Sequence, residues 1–391
     1  MTDREFDIIV YGATGYTGRL VAEYLLAHAE GRRWAMAGRS ADKLVAVRDE
    51  IGAPGDMPCI VADVADPDSV AAMAARTHVV ITTVGPYQLY GEPLVAACAS
   101  AGTAYVDLCG EPAWMRAMID TYDAAAKSSG ARIVFSCGFD SIPFDLGVLF
   151  AQDRARQAWG APARQVRGRV IKMQGTFSGG TAASGRETFA AAMRDPAVRA
   201  LLQSPFALTP GFDGAPQPSG SKPKYDEAMG SWLAPFFMAP INTKNVHRTN
   251  FLLGQPYGAD FAYEEMMATG PGEKGEAAAR ALAAANPMAD ENGPKPGEGP
   301  TQAEREAGHY DLLFRAEAAD GRTLGVRVTG DMDPGYGSTS KMIAQSALCL
   351  LDEAKDLPGG IYTPGAAFGM TLVPRLERLA GLTFSASSSV V

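Results

Sequence analysis

The sequence predicts an α/β protein: a doubly wound Rossmann domain built on a parallel sheet, followed by a second α+β domain containing a mixed sheet. Three observations carry this expectation. Over the first 140 residues short β-branched runs alternate with segments of helical period, the pattern of a parallel sheet covered by helices on both faces. A glycine-rich turn stands between the first run and the first helical segment. Beyond Asp140 the alternation gives way to longer elements interrupted by two tracts rich in Pro and Gly.

Residues 7–11 (DIIVY) form the first strand. From Thr17 onward, Leu20, Val21, Tyr24, Leu25 and His28 recur at helical spacing, so the first helix lays one stripe on the sheet. Strands at 33–37, 59–62, 78–84, 104–108 and 132–136 follow, with helices around 42–51, 69–75, 91–100 and 112–128. Six strands with intervening helices make a complete dinucleotide-binding domain, for which the strand order is 3-2-1-4-5-6. After Asp140 the pattern predicts a helix over 142–158, a strand over 165–173 and a helix over 184–202. A hairpin of 309–316 and 322–329 turns at Asp320-Gly321, and a helix covers 338–352. The tracts 209–231 and 270–301 read as loops, either over a substrate cleft or on the surface. This divides the chain into a Rossmann domain (1–140), an α+β substrate or dimerisation domain (141–350) and a C-terminal segment (351–391) that packs back on the Rossmann domain.

Composition narrows the function. The chain has 391 residues, 47% hydrophobic and 20% charged, which is ordinary globular material for two or three domains. A net charge of -9 opposes binding along a phosphate backbone, so no nucleic-acid partner is expected. Five scattered cysteines without a CxxC pair, and an opening MTDREFD with no apolar leader, predict a cytoplasmic protein. The most apolar stretch, 232–239, is interrupted by Pro235, so no stable membrane insertion is expected. His28, His78, His247 and His309 show no metal-ligand spacing, and no metal site is expected. A GxSxG elbow is absent. The Tyr-x-x-x-Lys pair of short-chain dehydrogenases is absent too, since Tyr122/Lys127 and Tyr336/Lys341 are each one residue too far apart.

The strongest chemical signal is Gly12-Ala-Thr14-Gly15-Tyr16-Thr17-Gly18 at the first strand-to-helix turn. A pyrophosphate needs backbone N–H donors and close approach; glycines opening a helix supply both, and the helix dipole favours the negative charge. The second strand ends at Arg39-Ser40 with no carboxylate until Asp42. A guanidinium and a hydroxyl suit a 2′-phosphate, so NADP(H) is the expected cofactor. Asp63 after the third strand could accept from the adenine amine or form a turn. The fourth strand runs into Thr83-Val84-Gly85-Pro86, a loop predicted beside the second phosphate and the nicotinamide ribose.

Three residues are candidates for a catalytic proton donor, each with a structural alternative. Tyr87 could donate or serve as a lid contact, Cys109 could donate or pack as a small hydrophobe, and Asp140 could donate or cap the helix after it. In the second domain, 177–181 (FSGGT) could form a flexible edge near the nicotinamide, and the aromatic run 232–238 a substrate wall, a dimer contact or plain core.

Several stretches together carry a family resemblance: YGATGYTGRLVAEYL, AGRS, TTVGPY, YGEPLVAACASAGTAYVDLCGE and CGFDSIPFDLG, then SGGT, Ala239-Pro-Ile-Asn-Thr243, PKPGEGP and Gly308-His309-Tyr310. The chain resembles the saccharopine dehydrogenase-like oxidoreductases, and within them the trans-acting enoyl reductase group. The resemblance implies a Rossmann domain with an α+β partner, NADP(H) dependence, and reduction of an enoyl intermediate in lipid synthesis. A small-molecule or acyl-thioester substrate and a homodimer are the partners expected. Two other readings remain at this point. Saccharopine-type imine chemistry would need cations for substrate carboxylates, with Arg186, Lys244 and Arg248 as candidates, and a non-catalytic NADP(H) sensor would need none.

Overall fold

The computed structural model describes residues 4–175, 179–285 and 297–387. Its first half is built from β1 (Phe6–Tyr11), α1 (Tyr16–His28), β2 (Trp34–Gly38), α2 (Ala41–Glu50), β3 (Cys59–Val61), α3 (Pro67–Ala75), β4 (Thr77–Thr82), α4 (Tyr87–Tyr90), α5 (Glu92–Ala101), β5 (Ala104–Val106), α6 (Pro112–Ser129) and β6 (Arg132–Val134). Side chains alternate across β1: Ile8 and Val10 join the apolar layer under α1 and α2, while Ile9 and Tyr11 join the layer under α3, α5 and α6. Burial on both faces is why the strand reads as an uninterrupted apolar run. Helix starts follow local rules, with proline in the first turn of α3 and α6, where the missing N–H costs nothing.

The second half comprises α7 (Ile142–Trp159), β7 (Gln165–Gln174), α8 (Gly179–Arg194), α9 (Pro196–Gln203), β8 (Lys224–Asp226), β9 (Ser231–Pro235), α10 (Ala239–Leu252), β10 (Ala262–Gly270), α11 (Gly272–Ala284), α12 (Gln302–Ala307), β11 (His309–Glu317) and β12 (Thr323–Gly330). A π-turn at Pro334–Ser338 leads to α13 (Thr339–Asp352), β13 (Gly360–Tyr362), α14 (Pro364–Phe368), α15 (Leu372–Leu379) and β14 (Leu382–Ser387).

Two seven-stranded sheets result. The nucleotide sheet has the order β13-β6-β5-β4-β1-β2-β3 with every pair parallel, so the expected 3-2-1-4-5-6 order is present with β13 added beside β6. The other sheet runs β14-β12-β11-β7-β10-β9-β8 and is mixed, since β7 and β10 are parallel while their other neighbours are antiparallel. The chain after Asp352 therefore contributes a strand to each sheet. One apolar layer is continuous between the halves, running from Ile8 and Val21 through Ile343 and Leu348 of α13 to Phe144 and Phe314.

Three local expectations are corrected. The single helix expected over 184–202 is two, because Pro196 cannot continue a helix and Asp195 caps the new one, its Oδ1 accepting Ala197 N–H at 2.8 Å. The tract 270–301 is not all loop: its alanine-rich part forms α11, as its propensity favours, while residues 286–296 lie outside the described set. The tract 209–231 contains the edge strand β8. Trp232 and Leu233 lie on β9 and Phe236 is buried just beyond it, so this run belongs largely to the core. Among the described residues no helix is long and apolar enough to cross a membrane.

Candidate functional site

The three glycines of the first turn do different work. Gly12 has φ +90, and a Cβ there would meet Val84 Cγ2 at 2.8 Å and Thr83 Oγ1 at 2.9 Å. A Cβ on Gly18 would stand 2.1 Å from the Gly12 carbonyl oxygen, so Gly18 lets α1 lie against the turn. Gly15 is exposed, and a Cβ on it would meet only the Gly12 oxygen, at 3.3 Å. It caps α1 without any side-chain hydrogen bond, so the first-turn amides of Tyr16, Thr17 and Gly18 carry no side-chain cap. An open glycine before an uncapped helix start is a seat for a phosphate.

Next to this turn, Gly38 at the end of β2 faces Thr14, whose hydroxyl would be 3.6 Å from a Cβ there. Arg39 is exposed and forms no hydrogen bond or ion pair among the described residues. Ser40 spends its hydroxyl as the cap of α2, accepting from Lys43 N–H at 3.4 Å. Asp63 Oδ1 closes a turn on Ala65 N–H at 3.0 Å. Tyr11 shares this corner: burial pushes its hydroxyl up to about 12, the Asp63 charge adding to the rise and Arg39 opposing it.

The loop after β4 is held from below. Tyr87 N–H and Gln88 N–H donate to the two carboxylate oxygens of Glu111, at 2.9 and 2.8 Å. The Tyr87 ring is 5% exposed and packs on Trp114, 5.5 Å between centroids. Its hydroxyl accepts from Leu108 N–H at 3.0 Å and donates to the Thr82 carbonyl at 3.4 Å. Burial raises that hydroxyl well above its ordinary value, nearby acidic groups adding to the effect. Gly85 is exposed on the other side, where α8 approaches: a Cβ on Gly85 would lie 3.6 Å from Ser184 Oγ, and Gln88 Nε2 donates to Thr188 Oγ1 at 3.4 Å.

The ends of β5 and β6 are stitched by Asp107, fully buried. Its Oδ1 accepts from Cys109 N–H at 3.0 Å and Ser136 N–H at 2.8 Å, and its Oδ2 from Tyr105 hydroxyl at 2.9 Å. Desolvation nevertheless lifts it to about 7. Cys109 is fully buried, its sulfur accepting from Glu111 N–H at 3.4 Å, and burial drives the thiol well up. Asp140 differs: it is half-buried, a Cβ on Gly110 would lie 3.0 Å from its Oδ2, and desolvation lifts it to about 7. Of the three proton-donor candidates, the structure buries Tyr87 and Cys109 in internal contacts and gives Asp140 solvent-accessible surface.

The second half of the chain faces this edge. Tyr16 hydroxyl donates to the Pro300 carbonyl and accepts from Arg305 Nη1 at 2.9 Å, and its ring meets Tyr336 edge-on at 5.2 Å. Helix α10 is almost wholly buried yet polar. Asn242 Nδ2 donates to Glu265 Oε1 at 2.7 Å and Asn245 Nδ2 to Ser141 Oγ at 2.8 Å. Lys244 is 3% exposed and donates to the Leu202 and Pro240 carbonyls, while Arg248 is 2% exposed and donates to those of Leu208 and Ile361. Neither cation is offered to a substrate carboxylate; Arg186 is exposed. Of the FSGGT motif, residues 177 and 178 lie outside the described set.

The residues present fit an NADP(H) molecule: an open glycine at an uncapped helix start, Thr83 and Val84 against the neighbouring Gly12, a guanidinium just after β2 with no partner among the described residues, and a carboxyl in the loop between β6 and α7. Sequence reasoning missed Glu111 as the clamp of the β4 loop and missed Glu265 entirely. Glu111 had a signal, since it closes the Asp107–Glu111 run after β5; Glu265 had none, because it contacts Asn242, 23 residues away, through tertiary packing.

The profile of the saccharopine dehydrogenase NADP binding domain matches residues 8–134. A Mycobacterium tuberculosis protein carried under the trans-acting enoyl reductase name is 41% identical over 404 residues, spanning 96% of both chains. The trans-acting enoyl reductases of Mycobacterium bovis and Mycobacterium ulcerans are each 38% identical, over 96% and 98% of both chains. Among solved structures, the apo saccharopine dehydrogenase (L-Glu forming) of Saccharomyces cerevisiae aligns with a TM-score of 0.53 at 12% identity, covering 98% of this chain and 100% of that one, a likeness of fold.

Proposed function

The chain belongs to the trans-acting enoyl reductase family of saccharopine dehydrogenase-like, NADP-dependent oxidoreductases, and from that premise we propose that it reduces the C=C bond of an α,β-unsaturated acyl thioester. The observation that carries this reading is the extent of the likeness: 38–41% identity runs across 96% or more of the chain, substrate half included.

Bound NADPH would supply the hydride that the β-carbon accepts. The first-turn amides of α1 bind the pyrophosphate, with Gly15 leaving room for it, and Arg39 takes the 2′-phosphate as a charge-assisted pair. Thr83, Val84, Gly85 and Pro86 form the wall beside the nicotinamide ribose, held in place by Glu111. Asp140 gives its carboxyl proton to the α-carbon, becoming a carboxylate, and recovers a proton from solvent. A carboxyl lifted to about 7 is half protonated near neutrality, which suits a general acid. Saccharopine-type chemistry is disfavoured because Lys244 and Arg248, two of the three cations it would use, are buried against backbone carbonyls.

The test is NADPH consumption by purified protein against a panel of 2-enoyl thioesters, with an oxo-acid and amino-acid panel alongside. Turnover confined to the enoyl panel supports the reading. Turnover confined to the amino-acid panel would replace it with imine chemistry, and tight NADPH binding without turnover on either would leave a sensor.

A further inference from the structure

A helix that opens on an uncapped glycine frays, because its first amides have no partner within the helix. Gly15 gives α1 no side-chain cap, yet the amides that follow it must keep one geometry to receive a phosphate. A side-chain cap would occupy one of them. A tether on the side chain of the first helical residue restrains the turn and occupies none.

Tyr16 is that residue, and its side chain is gripped from the second half of the chain. Its hydroxyl donates to the Pro300 carbonyl and accepts from Arg305 Nη1 at 2.9 Å, and the same Nη1 donates to the Pro300 carbonyl at 2.9 Å. Carbonyl, hydroxyl and guanidinium close a triangle. Gly299 admits the ring, since a Cβ there would stand 2.6 Å from Tyr16 Cε1, and Tyr336 of the π-turn meets it edge-on. Arg305 is fixed in turn. Its carbonyl accepts from Asp333 N–H at 2.9 Å, and Gly308 packs so closely that a Cβ on it would lie 2.4 Å from Asp333 Cα. Two guanidiniums flank the Tyr16 ring, Arg19 at 5.9 Å and Arg305 at 6.0 Å from its centroid, and Arg19 is paired with Glu50.

We infer that Arg305 is a positioning residue for the cofactor: acting through the Tyr16 hydroxyl, it holds the first turn of α1 in its phosphate-binding geometry and leaves the amides of that turn free. This deepens the reading of the turn as the pyrophosphate seat and rests on it. A turn restrained before binding does not have to be ordered by the cofactor, and the affinity is higher by the ordering cost avoided. A segment 289 residues away in the chain thereby contributes to a site built from the first 20 residues.

The experiment is a double-mutant cycle on NADPH affinity in the full chain, with hydrogen exchange of the cofactor-free protein alongside. Tyr16→Phe deletes the hydroxyl and keeps the ring; Arg305→Met deletes the donors and keeps an apolar stem. Each should weaken NADPH binding about 5- to 10-fold and speed amide exchange in the peptide 12–20. The double variant should bind no more weakly than Tyr16→Phe alone, because Arg305 acts through the hydroxyl already lost. Unchanged affinity in the folded single variants overturns the inference. So do additive losses, which would give Arg305 a direct charge effect on the phosphates. If Tyr16→Phe does not fold, exchange in Arg305→Met decides, since a charge acting on bound phosphate leaves the cofactor-free turn unmoved. Gly15→Val separates the inference from the reading beneath it. Normal NADPH binding in that variant removes the pyrophosphate seat and the tether together, whereas weakened binding there beside unmoved Tyr16 and Arg305 variants removes the tether alone.

Discussion

A Cβ placed on Gly18 would lie 2.1 Å from the carbonyl oxygen of Gly12, whereas one placed on Gly15 would touch nothing nearer than 3.3 Å. The two positions therefore separate folding from binding. Gly18→Ala forces α1 off the turn and should cost about 1–3 kcal/mol of stability or more. Gly15→Val should leave the melting temperature close to wild type while weakening NADPH binding by at least ~10-fold, because the side chain fills the phosphate seat. Thermal melts paired with cofactor titrations read both effects; a Gly15 variant that binds normally would remove the glycine loop from the cofactor site.

Arg39 is exposed with no partner among the described residues. Its loss should be felt by the 2′-phosphate and not by the fold. Arg39→Asp should lower NADP(H) affinity by roughly 10- to 100-fold, the worth of about 1.5–3 kcal/mol of charge-assisted hydrogen bonding, and improve NAD(H) binding. The ratio of the two dissociation constants is the measurement.

Tyr87→Phe discriminates between two roles for the same hydroxyl. That group accepts from Leu108 N–H and donates to the Thr82 carbonyl inside the domain, so the variant should lose about 1–3 kcal/mol of stability. Its kcat should stay within about threefold of wild type. A loss of about a hundredfold or more, typical of a removed general acid, would return Tyr87 to the chemistry.

Asp140→Asn should do the reverse: kcat falls by roughly 10²–10⁴-fold, as for a missing general acid, with NADPH affinity unchanged because the carboxyl belongs to the loop between β6 and α7 and not to the glycine turn that opens α1. Steady-state kinetics with a direct cofactor titration would check it.

Stability should depend on pH with an unusual sign. Burial lifts Asp107, Asp140, Asp145 and Glu265 each to about 7. Between the ordinary carboxyl range and about 7 the folded chain holds protons that the unfolded chain has released, so their stabilising contribution fades as pH rises through that window. His247, lowered by burial to about 3, works in the opposite direction below its ordinary value, but as one group against four. The melting temperature should be a few degrees higher at about pH 5.5 than at about pH 7.5, and Asp107→Asn should flatten part of the slope.

Much of the nucleotide half was legible in one dimension because its determinants are local. The apolar run of β1, the glycine spacing and the helical stripe of α1 all act within a few residues of themselves, and Arg39 is set by its place at the end of β2. The proton-donor question was not legible, because Tyr87, Cys109 and Asp140 follow strand ends in equivalent ways and differ only in what covers them.

The residue order by itself determined the strand sequence of the Rossmann sheet, the glycine turn that opens α1 and the arginine that follows β2, since backbone periodicity and turn chemistry depend on neighbours along the chain. Only the tertiary structure decided that Glu111 clamps the β4 loop, that Lys244 and Arg248 are used up on carbonyls, that β13 and β14 join different sheets, and that Glu265 is held by Asn242 and Tyr263. Burial and partnership are properties of packing between distant segments, and they set which of several chemically equivalent side chains is left facing the crevice.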